Sequence, residues 1–251
     1  MRILITGATR GIGRGLAERY LGRGKQVIAI GRSRERLEEL KERWGERVEV
    51  YQTDLADLEQ VAQLGRGLKE RGERIDMAIF NAGISLPHAP DFTPFPDFFK
   101  VFKVNFLSIH LLLEQILELI PERGRIVLIS SLASIIASPT SLPYSASKRA
   151  LNSYGESLYY LLRDRSVITI LPGFIKTDMT AGHNFKMPFL MELEEALDRI
   201  ELAINSRAPF YPFPKRFYWI LKGLALLPFP LKKWIFNQIL EKELGVEGRL
   251  V

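Results

Sequence analysis

The amino-acid sequence predicts an α/β fold: one doubly wound parallel sheet of about seven strands, with helices on both faces and a C-terminal helical extension. Short apolar runs rich in Ile, Val and Leu alternate with longer amphipathic segments, which is typical of parallel strands joined by helices. A glycine-rich turn follows the first of these runs and precedes a helix. The chain of 251 residues is long enough for one large α/β domain and short for two.

Composition and charge argue against several classes of function. Hydrophobic residues make up 47% of the chain and charged residues 25%, as in globular proteins. Without cysteine there are no disulfides or thiolate metal sites, and the widely spaced His88, His110 and His183 do not predict a metal site. The net charge of +6 favours an anionic ligand, but no basic stripe interleaved with aromatic residues predicts nucleic-acid binding.

Two further expectations concern the source and the location of the protein. Arg and Glu are plentiful whereas Asn and Gln are scarce, which favours a thermophilic source. The segment Met1–Ile5 leads directly into a strand and leaves no room for a signal peptide, so we expect a cytoplasmic protein.

The N-terminal strand, residues 2–5, leads at once into the turn Thr6–Gly13, and a helix follows. This order of strand, glycine turn and helix predicts a dinucleotide phosphate site. We expect Gly7 to allow the tight turn, Gly11 to let the backbone approach a pyrophosphate, and Gly13 to permit close packing of helix on strand.

The second strand, residues 26–30, ends in Gly31 and Arg32, at the place where an acidic side chain would bind the adenosine ribose and indicate NAD. Arg32, together with Arg10 in the glycine turn, suits a ribose 2′-phosphate instead, because guanidinium groups pair strongly with phosphate. The alternative is a pair of solvated arginines. The sequence favours NADP(H).

The following segments are assigned by apolar periodicity, and their boundaries by glycine, proline and polar residues. The predicted strands are residues 48–51, 77–80, 126–129, 167–171 and 210–211, and the predicted helices are residues 34–44, from about 58, 98–120, from about 142 and 192–204.

The stretch around the fifth strand brings together residues suited to proton transfer. Ser131 follows the buried run 126–129, and the carboxyl end of a parallel strand faces the ligand crevice. Tyr144 and Lys148 lie four residues apart near the start of a helix, so they share one face. A Tyr-x-x-x-Lys pair is also compatible with an ordinary surface helix, but the preceding strand and serine favour a site.

A hydroxyl, a phenol and an ammonium group form a plausible acid–base site. A free phenol has a pKa of roughly 10. The Lys148 cation near Tyr144 would favour the phenolate and lower that pKa, while Ser131 would hydrogen-bond the oxygen of a substrate.

The C-terminal part departs from a simple alternating pattern. We divide the chain into a dinucleotide-binding catalytic domain, residues 1–212, with a substrate loop at about 178–206, and a helical extension, residues 213–251, packed on the same domain. Lys222 and the prolines interrupt the apolar run before it reaches the roughly 20 residues of a membrane span. A substrate lid, a subunit contact and an in-plane membrane anchor are the alternatives for its function.

In order and spacing, several motifs resemble those of the short-chain dehydrogenase/reductase family: T-G-x-x-x-G-I-G, Asn81-Ala82-Gly83, Asn105, Ser131, Tyr144-x-x-x-Lys148 and Pro172-Gly173. The resemblance spans residues 3 to about 180. It implies a Rossmann-type fold and NAD(P)-dependent hydride transfer between a carbonyl and a secondary alcohol, and the arginines described above favour NADP(H) as the cofactor. It also implies a homodimer or homotetramer, in which helix 98–120 and the helix that carries Tyr144 pair across a dimer axis.

The resemblance assigns catalytic roles to four residues. Tyr144 would donate or accept the proton, and Lys148 would lower its pKa and hold the nicotinamide ribose. Ser131 would orient the substrate carbonyl, and Asn105 would support a water relay through Lys148.

The resemblance also implies a cofactor site at the carboxyl ends of the strands. Asp54 and Leu55 would contact adenine, although Asp54 could equally cap the helix beginning near Leu58. Thr177 would hydrogen-bond the nicotinamide amide. The complete set is Gly7, Thr9, Arg10, Gly11, Ile12, Gly13, Arg32, Asp54, Leu55, Asn81, Ala82, Gly83, Tyr144, Lys148, Pro172, Gly173, Ile175 and Thr177.

Apolar residues predict an apolar small-molecule carbonyl or alcohol as the substrate. We expect the loop 85–96 to form part of its wall and residues 182–189 to form a flap. The residues that suggest this are Phe92, Phe95, Phe174, Phe185, Met187 and Phe189. The alternative function is a non-catalytic regulator that senses NADP(H).

Overall fold

The computed structural model describes residues 1–86, 92–137, 141–181 and 187–244. Its centre is a seven-stranded sheet, entirely parallel, in the order β3-β2-β1-β4-β5-β6-β7. The strands are β1 (Arg2–Thr6), β2 (Gln26–Gly31), β3 (Val48–Gln52), β4 (Met77–Phe80), β5 (Arg125–Ile129), β6 (Ser166–Pro172) and β7 (Phe210–Phe213). The predicted doubly wound fold with seven strands is confirmed.

Nine helices lie in the described part of the chain: α1 (Gly11–Gly22), α2 (Arg34–Trp44), α3 (Leu58–Arg71), α4 (Phe95–Phe102), α5 (Ser108–Ile116), α6 (Leu142–Leu161), α7 (Leu193–Ser206), α8 (Lys215–Leu226) and α9 (Phe229–Leu244). Buried side chains of α1, α2 and α7 pack on one face of the sheet, and those of α3, α5 and α6 pack on the other. The strands are apolar runs because both of their faces are covered.

The starts of α2 and α3 follow from side chains that accept backbone N–H groups. Ser33 accepts from the N–H of Arg36 before α2. Asp57, rather than Asp54, caps α3, since it accepts from the N–H groups of Glu59 and Gln60. The predicted cap by Asp54 is therefore wrong: its carboxylate accepts the N–H of Ala56 in the turn before the helix.

The helix predicted as continuous over residues 98–120 is interrupted. Between α4 and α5, residues Lys103–Leu107 form a π turn, and a short 3-10 turn, Leu117–Leu119, follows α5. The π turn contains Asn105, whose side chain is fully buried. Such wide turns are frequent at functional sites, because they place a side chain where a regular helix would not.

The predicted substrate loop, 178–206, is a loop only in its first part. Its second part is α7, which packs in the core against α1 through Leu197 and Ile200. The buried carboxylate of Glu201 on α7 accepts from Arg19 and Arg23 at 3.0 and 2.5 Å. The second half of the segment therefore belongs to the hydrophobic core on the face of the sheet that α1 and α2 cover.

The C-terminal helices α8 and α9 follow the edge strand β7, and the break between them falls at the predicted prolines. Leu221 of α8 packs against Leu132 and Leu171, which anchors the inner side of this helix on the sheet domain. Within the described residues, no helix is long and apolar enough to span a bilayer.

Candidate active site

A cavity of about 480 Å³ opens at the carboxyl ends of the strands. The turns that follow β1, β2, β3, β4, β5 and β6 all contribute to its wall. It lies where the strand order reverses, between β1 and β4, which is where doubly wound sheets bind ligands.

The glycine turn lies at one end of the cavity. Gly7 and Gly11 have φ of +70° and +52°, in the region that favours glycine. A Cβ on Gly13 would lie 2.2 Å from the carbonyl oxygen of Gly7, so the packing of α1 on the turn tolerates no side chain there. Gly11 and Ile12 line the cavity at the start of α1, which has no side-chain cap and therefore presents its N–H groups and positive dipole end.

Two arginines at this end have no carboxylate partner among the described residues. Arg10 and Arg32 are exposed and line the cavity. The neighbouring Arg14, Arg34 and Arg36 all form ion pairs. Within the part of the chain that the structure describes, no carboxylate lies within ion-pair distance of Arg10 or Arg32. The geometry leaves both guanidinium groups available to an anionic ligand.

Gly31 ends β2 beside these arginines. A Cβ on Gly31 would lie 2.4 Å from Cγ2 of Thr9, so the threonine fills the space that a side chain at position 31 would need. Asp54 and Leu55 line the same part of the cavity, and the N–H of Thr53 donates to the Gly31 carbonyl at 2.9 Å.

The turn after β4 is held by a residue that sequence reasoning missed. Thr6 accepts the N–H groups of both Asn81 and Ala82 on its hydroxyl oxygen, at 3.1 Å each. The Asn81 amide in turn donates to the Thr6 carbonyl at 3.1 Å. This clamp fixes Asn81, Ala82 and Gly83 in the cavity wall. The signal in the sequence that could have identified this role is the hydroxyl residue Thr6 at the end of the first strand.

The structure brings Ser131, Tyr144 and Lys148 together. Ser131 follows β5, and its hydroxyl is hydrogen-bonded to the phenol of Tyr144 in the first turn of α6. Lys148 is buried one turn later, with Nζ 5.9 Å from the Tyr144 ring centroid and donating to the Ile129 carbonyl at 2.8 Å. Ser130 instead donates to the Lys148 carbonyl at 3.1 Å and so ties α6 to β5.

Burial is the main cause of the pKa shifts of Tyr144 and Lys148. Burial raises the pKa of the Tyr144 phenol, and the hydrogen bond with Ser131 opposes that rise in part. Burial lowers the pKa of Lys148 from 10.5 to about 8. The pKa of Tyr144 thus moves opposite to the sequence prediction, because the effect of burial outweighs that of the hydrogen bond with Ser131. The Lys148 ammonium donates to the Ile129 carbonyl.

Asn105 lies behind Lys148 and does not line the cavity. Its amide accepts the N–H of Ile84 at 2.8 Å, and donates to the Ile84 carbonyl and to Ser147 at 3.0 Å each. A Cβ on Gly83 would lie 3.4 Å from Nζ of Lys148 and 3.5 Å from Oδ1 of Asn105. Asn105 and Lys148 therefore flank the same glycine.

The turn after β6 closes the cavity on the side of the extension. Pro172, Gly173, Ile175 and Thr177 line it, as predicted for a cofactor wall. Thr180 holds this turn, since its hydroxyl donates to the Ile175 carbonyl at 2.7 Å and accepts the N–H of Thr177 at 3.0 Å.

The apolar wall differs from the predicted one. Phe174 lines the cavity, but Phe92 and Phe95 are 89% and 72% exposed and lie outside it. Phe189 contacts the ring of Phe217, at 5.6 Å between centroids, rather than the cavity. Met187 also lies outside the cavity lining, and Phe185 and most of the predicted flap fall outside the described residues.

The remaining apolar lining comes from the C-terminal extension, for which the sequence offered a substrate lid as one of three alternatives. Phe217 and Leu221 come from α8, and Phe236 and Ile239 from α9. The members of each pair lie four and three residues apart, so each helix turns one apolar side toward the cavity. In the described ranges, no three His, Cys, Asp or Glu side chains are grouped as a metal site would need.

Comparisons with known proteins place this geometry among oxidoreductases. A family model described as short chain dehydrogenase matches residues 1–187. An uncharacterized oxidoreductase of Myxococcus xanthus is 32% identical over 235 residues, covering 91% of this chain and 93% of the relative. A fatty acyl-CoA reductase of Acinetobacter baylyi is 31% identical over 244 residues, covering 93% of this chain and 81% of the relative.

Solved structures share the fold. A serine dehydrogenase complexed with NADP+ has a TM-score of 0.75 at 23% identity, covering 85% of this chain and 94% of that one. A dehydrogenase from Sphingobium yanoikuyae in complex with NADPH has a TM-score of 0.75 at 23% identity, covering 100% and 97%. A 4-hydroxyisoleucine dehydrogenase complexed with NADH has a TM-score of 0.74 at 24% identity, covering 84% and 96%.

Proposed function

Because the chain belongs to the short-chain dehydrogenase family, whose members are oxidoreductases, we propose that it interconverts an apolar carbonyl compound and its alcohol with NADP(H). One observation supports this most directly. The hydrogen-bonded hydroxyls of Ser131 and Tyr144, with Lys148 beside them, line the same cavity as the glycine turn.

The residues fit a dinucleotide with a 2′-phosphate. The backbone between Gly7 and Gly13 leaves a cradle that side chains would fill, at an uncapped helix N-terminus that favours phosphate. Gly31 supplies no carboxylate to bind ribose hydroxyls, while Arg10 and Arg32 offer two guanidinium groups to a phosphate. When bound, the nicotinamide supplies or accepts the hydride at the substrate carbon.

Side chains of this protein transfer the proton that accompanies the hydride. In the reductive direction, Tyr144 donates its phenolic proton to the carbonyl oxygen, and Ser131 hydrogen-bonds the same oxygen and orients it. Lys148 holds a positive charge near the phenolate that forms, which lowers its energy. Asn105 is a positioning residue, because it fixes the Ile84 backbone next to Gly83 and Lys148.

The cavity lining favours an apolar substrate. Phe174, Phe217 and Leu221 stand on the side away from the glycine turn, joined by Phe236 and Ile239 of α9. A relative that aligns over most of this chain is named fatty acyl-CoA reductase, and such a substrate has a long apolar chain. The comparisons give no support to a non-catalytic regulator, because the similar proteins are named oxidoreductases and reductases.

NADPH oxidation with a panel of ketones, quinones, steroids, fatty aldehydes and fatty acyl thioesters tests the proposal. Tyr144→Phe removes the proton and keeps the ring, so kcat is expected to fall by about 10²- to 10⁴-fold, while NADPH affinity measured by titration stays within a factor of about three. Tyr159→Phe, on the exposed side of the same helix, is the matched control and should retain wild-type turnover. Turnover by Tyr144→Phe within tenfold of the wild-type rate would refute the assignment.

A further inference from the structure

The outer side of α8 is apolar and faces solvent. Leu221, on the inner side, is buried, whereas Trp219 and Leu226 are 67% and 86% exposed and Ile220 is half exposed. Trp219 and Leu226, seven residues apart, lie on the same outer face of the helix, and Ile220 lies beside that face. An ordinary surface helix would present polar side chains there.

Further exposed apolar side chains lie at the start of α9, which begins three residues after Leu226. Phe229 is 83% exposed, and Leu231 and Trp234 are exposed as well. We define the C-terminal apolar patch as Trp219, Ile220, Leu226, Phe229, Leu231 and Trp234. Contiguous exposed apolar groups of this kind mark interaction surfaces, whereas scattered ones need no explanation.

The sequence segment that contains the patch, residues 202–240, carries charge of a single sign. The chain contains 29 Asp and Glu residues, yet none lies between positions 202 and 240. The same segment contains six basic residues, Arg207, Lys215, Arg216, Lys222, Lys232 and Lys233. Lys215, Arg216, Lys222 and Lys233 are exposed on the same two helices. The patch therefore combines apolar bulk with a positive rim whose side chains form no ion pair within the described part of the chain.

We propose that the C-terminal apolar patch docks on an anionic lipid surface, with α8 and α9 lying in the plane of the interface. Tryptophan at the edge of an apolar face with lysine and arginine around it is typical of in-plane membrane helices. A second copy of the chain fits less well, because a twofold contact would place the two positive rims against each other. A spanning arrangement is not available to the described helices.

The same two helices connect this surface to the cavity. Phe217 and Leu221 of α8, with Phe236 and Ile239 of α9, line the cavity from within, while the outer sides of the helices form the patch. If the proposed function holds, its apolar substrate is drawn from the lipid phase and enters between these helices. The docking itself does not depend on turnover.

Vesicle co-sedimentation of the full chain tests the docking. The probe is vesicles of phosphatidylcholine alone, compared with vesicles in which about a third of the lipid is phosphatidylglycerol. We expect binding to the anionic vesicles that weakens as salt is added. Trp219→Ser or Trp234→Ser should each weaken it by about tenfold, and Lys215→Ser or Lys222→Ser by about fivefold. Leu202→Ser, an exposed apolar residue on α7, is the control and should bind as wild type.

Each outcome decides the proposal. All these positions are exposed, so unchanged melting temperatures will show that the variants fold. Tyr144→Phe should bind vesicles as the wild type does, so a failure of the proposed catalysis can be distinguished from a failure of the proposed docking. The proposal is overturned if the wild type does not bind anionic vesicles at low salt, or if the tryptophan variants bind them as well as the wild type does. It is equally overturned if light scattering shows that Trp219→Ser changes the subunit number while vesicle binding is unaffected.

Discussion

The two ends of the cavity differ in the contacts that fix their structure. Near the glycine turn, a Cβ on Gly13 would meet the backbone of Gly7, and a Cβ on Gly31 would meet the side chain of Thr9. At the extension, Leu221 is held in the core while Trp219 and Leu226 on the same helix face solvent. The comparison teaches that close contacts on all sides fix the glycine end, whereas the core fixes only the inner side of the helix at the other end.

The largest expected effect concerns the glycine end. Arg32→Asp removes the proposed phosphate partner and adds a repelling charge, so the ratio of kcat/KM for NADPH to that for NADH should fall by about 100-fold. Steady-state kinetics with both cofactors measures it. Arg34→Asp, two residues away and paired with Glu38 outside the cavity, is the matched control and should leave the ratio unchanged. Equal losses for both cofactors in Arg32→Asp would show that Arg32 does not discriminate between them.

A smaller effect concerns the stability cost of the buried lysine. Lys148 is protonated in both states below pH 8, and burial disfavours that charge only in the folded protein. Lys148→Met should therefore raise the free energy of unfolding near pH 7 by about 2 kcal/mol, after allowing for the lost hydrogen bond to Ile129.

The sign of the pH dependence follows from proton binding. Between pH 8 and 10.5 the unfolded state retains a proton that folded Lys148 has lost, so wild-type stability rises relative to the variant. The advantage of Lys148→Met should vanish near pH 10.5. Urea denaturation across this range measures it. An advantage that is constant with pH would contradict the assigned cause, and Lys100→Met on the exposed side of α4 should change stability by less than about 0.5 kcal/mol.

The smallest effect is expected at the extension. Leu226→Ala should change the free energy of unfolding by less than about 0.5 kcal/mol, because the side chain already faces water. Leu221→Ala, five residues earlier, should cost roughly 2 kcal/mol or more, since it leaves a cavity next to Leu132 and Leu171. Thermal denaturation of both variants compares them. A large loss in Leu226→Ala would mean that the outer face of α8 is covered in solution.

Sequence reasoning succeeded where one local pattern determines one structure. The strand Met77–Phe80 and the helix Arg34–Trp44 have the predicted bounds, because apolar runs and a serine cap leave few alternatives. Ser131, Tyr144 and Lys148 also meet as predicted, since a strand end and a helix face fix their directions.

It failed where tertiary contacts decide. The π turn at Asn105 shifts a helix face by about one residue, which an apolar pattern does not resolve. Phe92 was assigned to the substrate wall by type alone, but its burial depends on neighbours distant in sequence. The homodimer or homotetramer, the cytoplasmic location and the thermophilic source stay predictions.

The contact between Thr9 and Gly31 has a consequence for how the cofactor preference of this protein could change over generations. Cγ2 of Thr9 occupies the space that any side chain at position 31 would enter. An acidic replacement of Gly31 would therefore be rejected as long as the threonine stays, and loss of the threonine gains nothing while position 31 stays glycine. The two changes are coupled, so an acidic side chain at position 31 takes two substitutions, whereas a change at Arg32 takes one. A library that varies both positions together would be the route across that barrier.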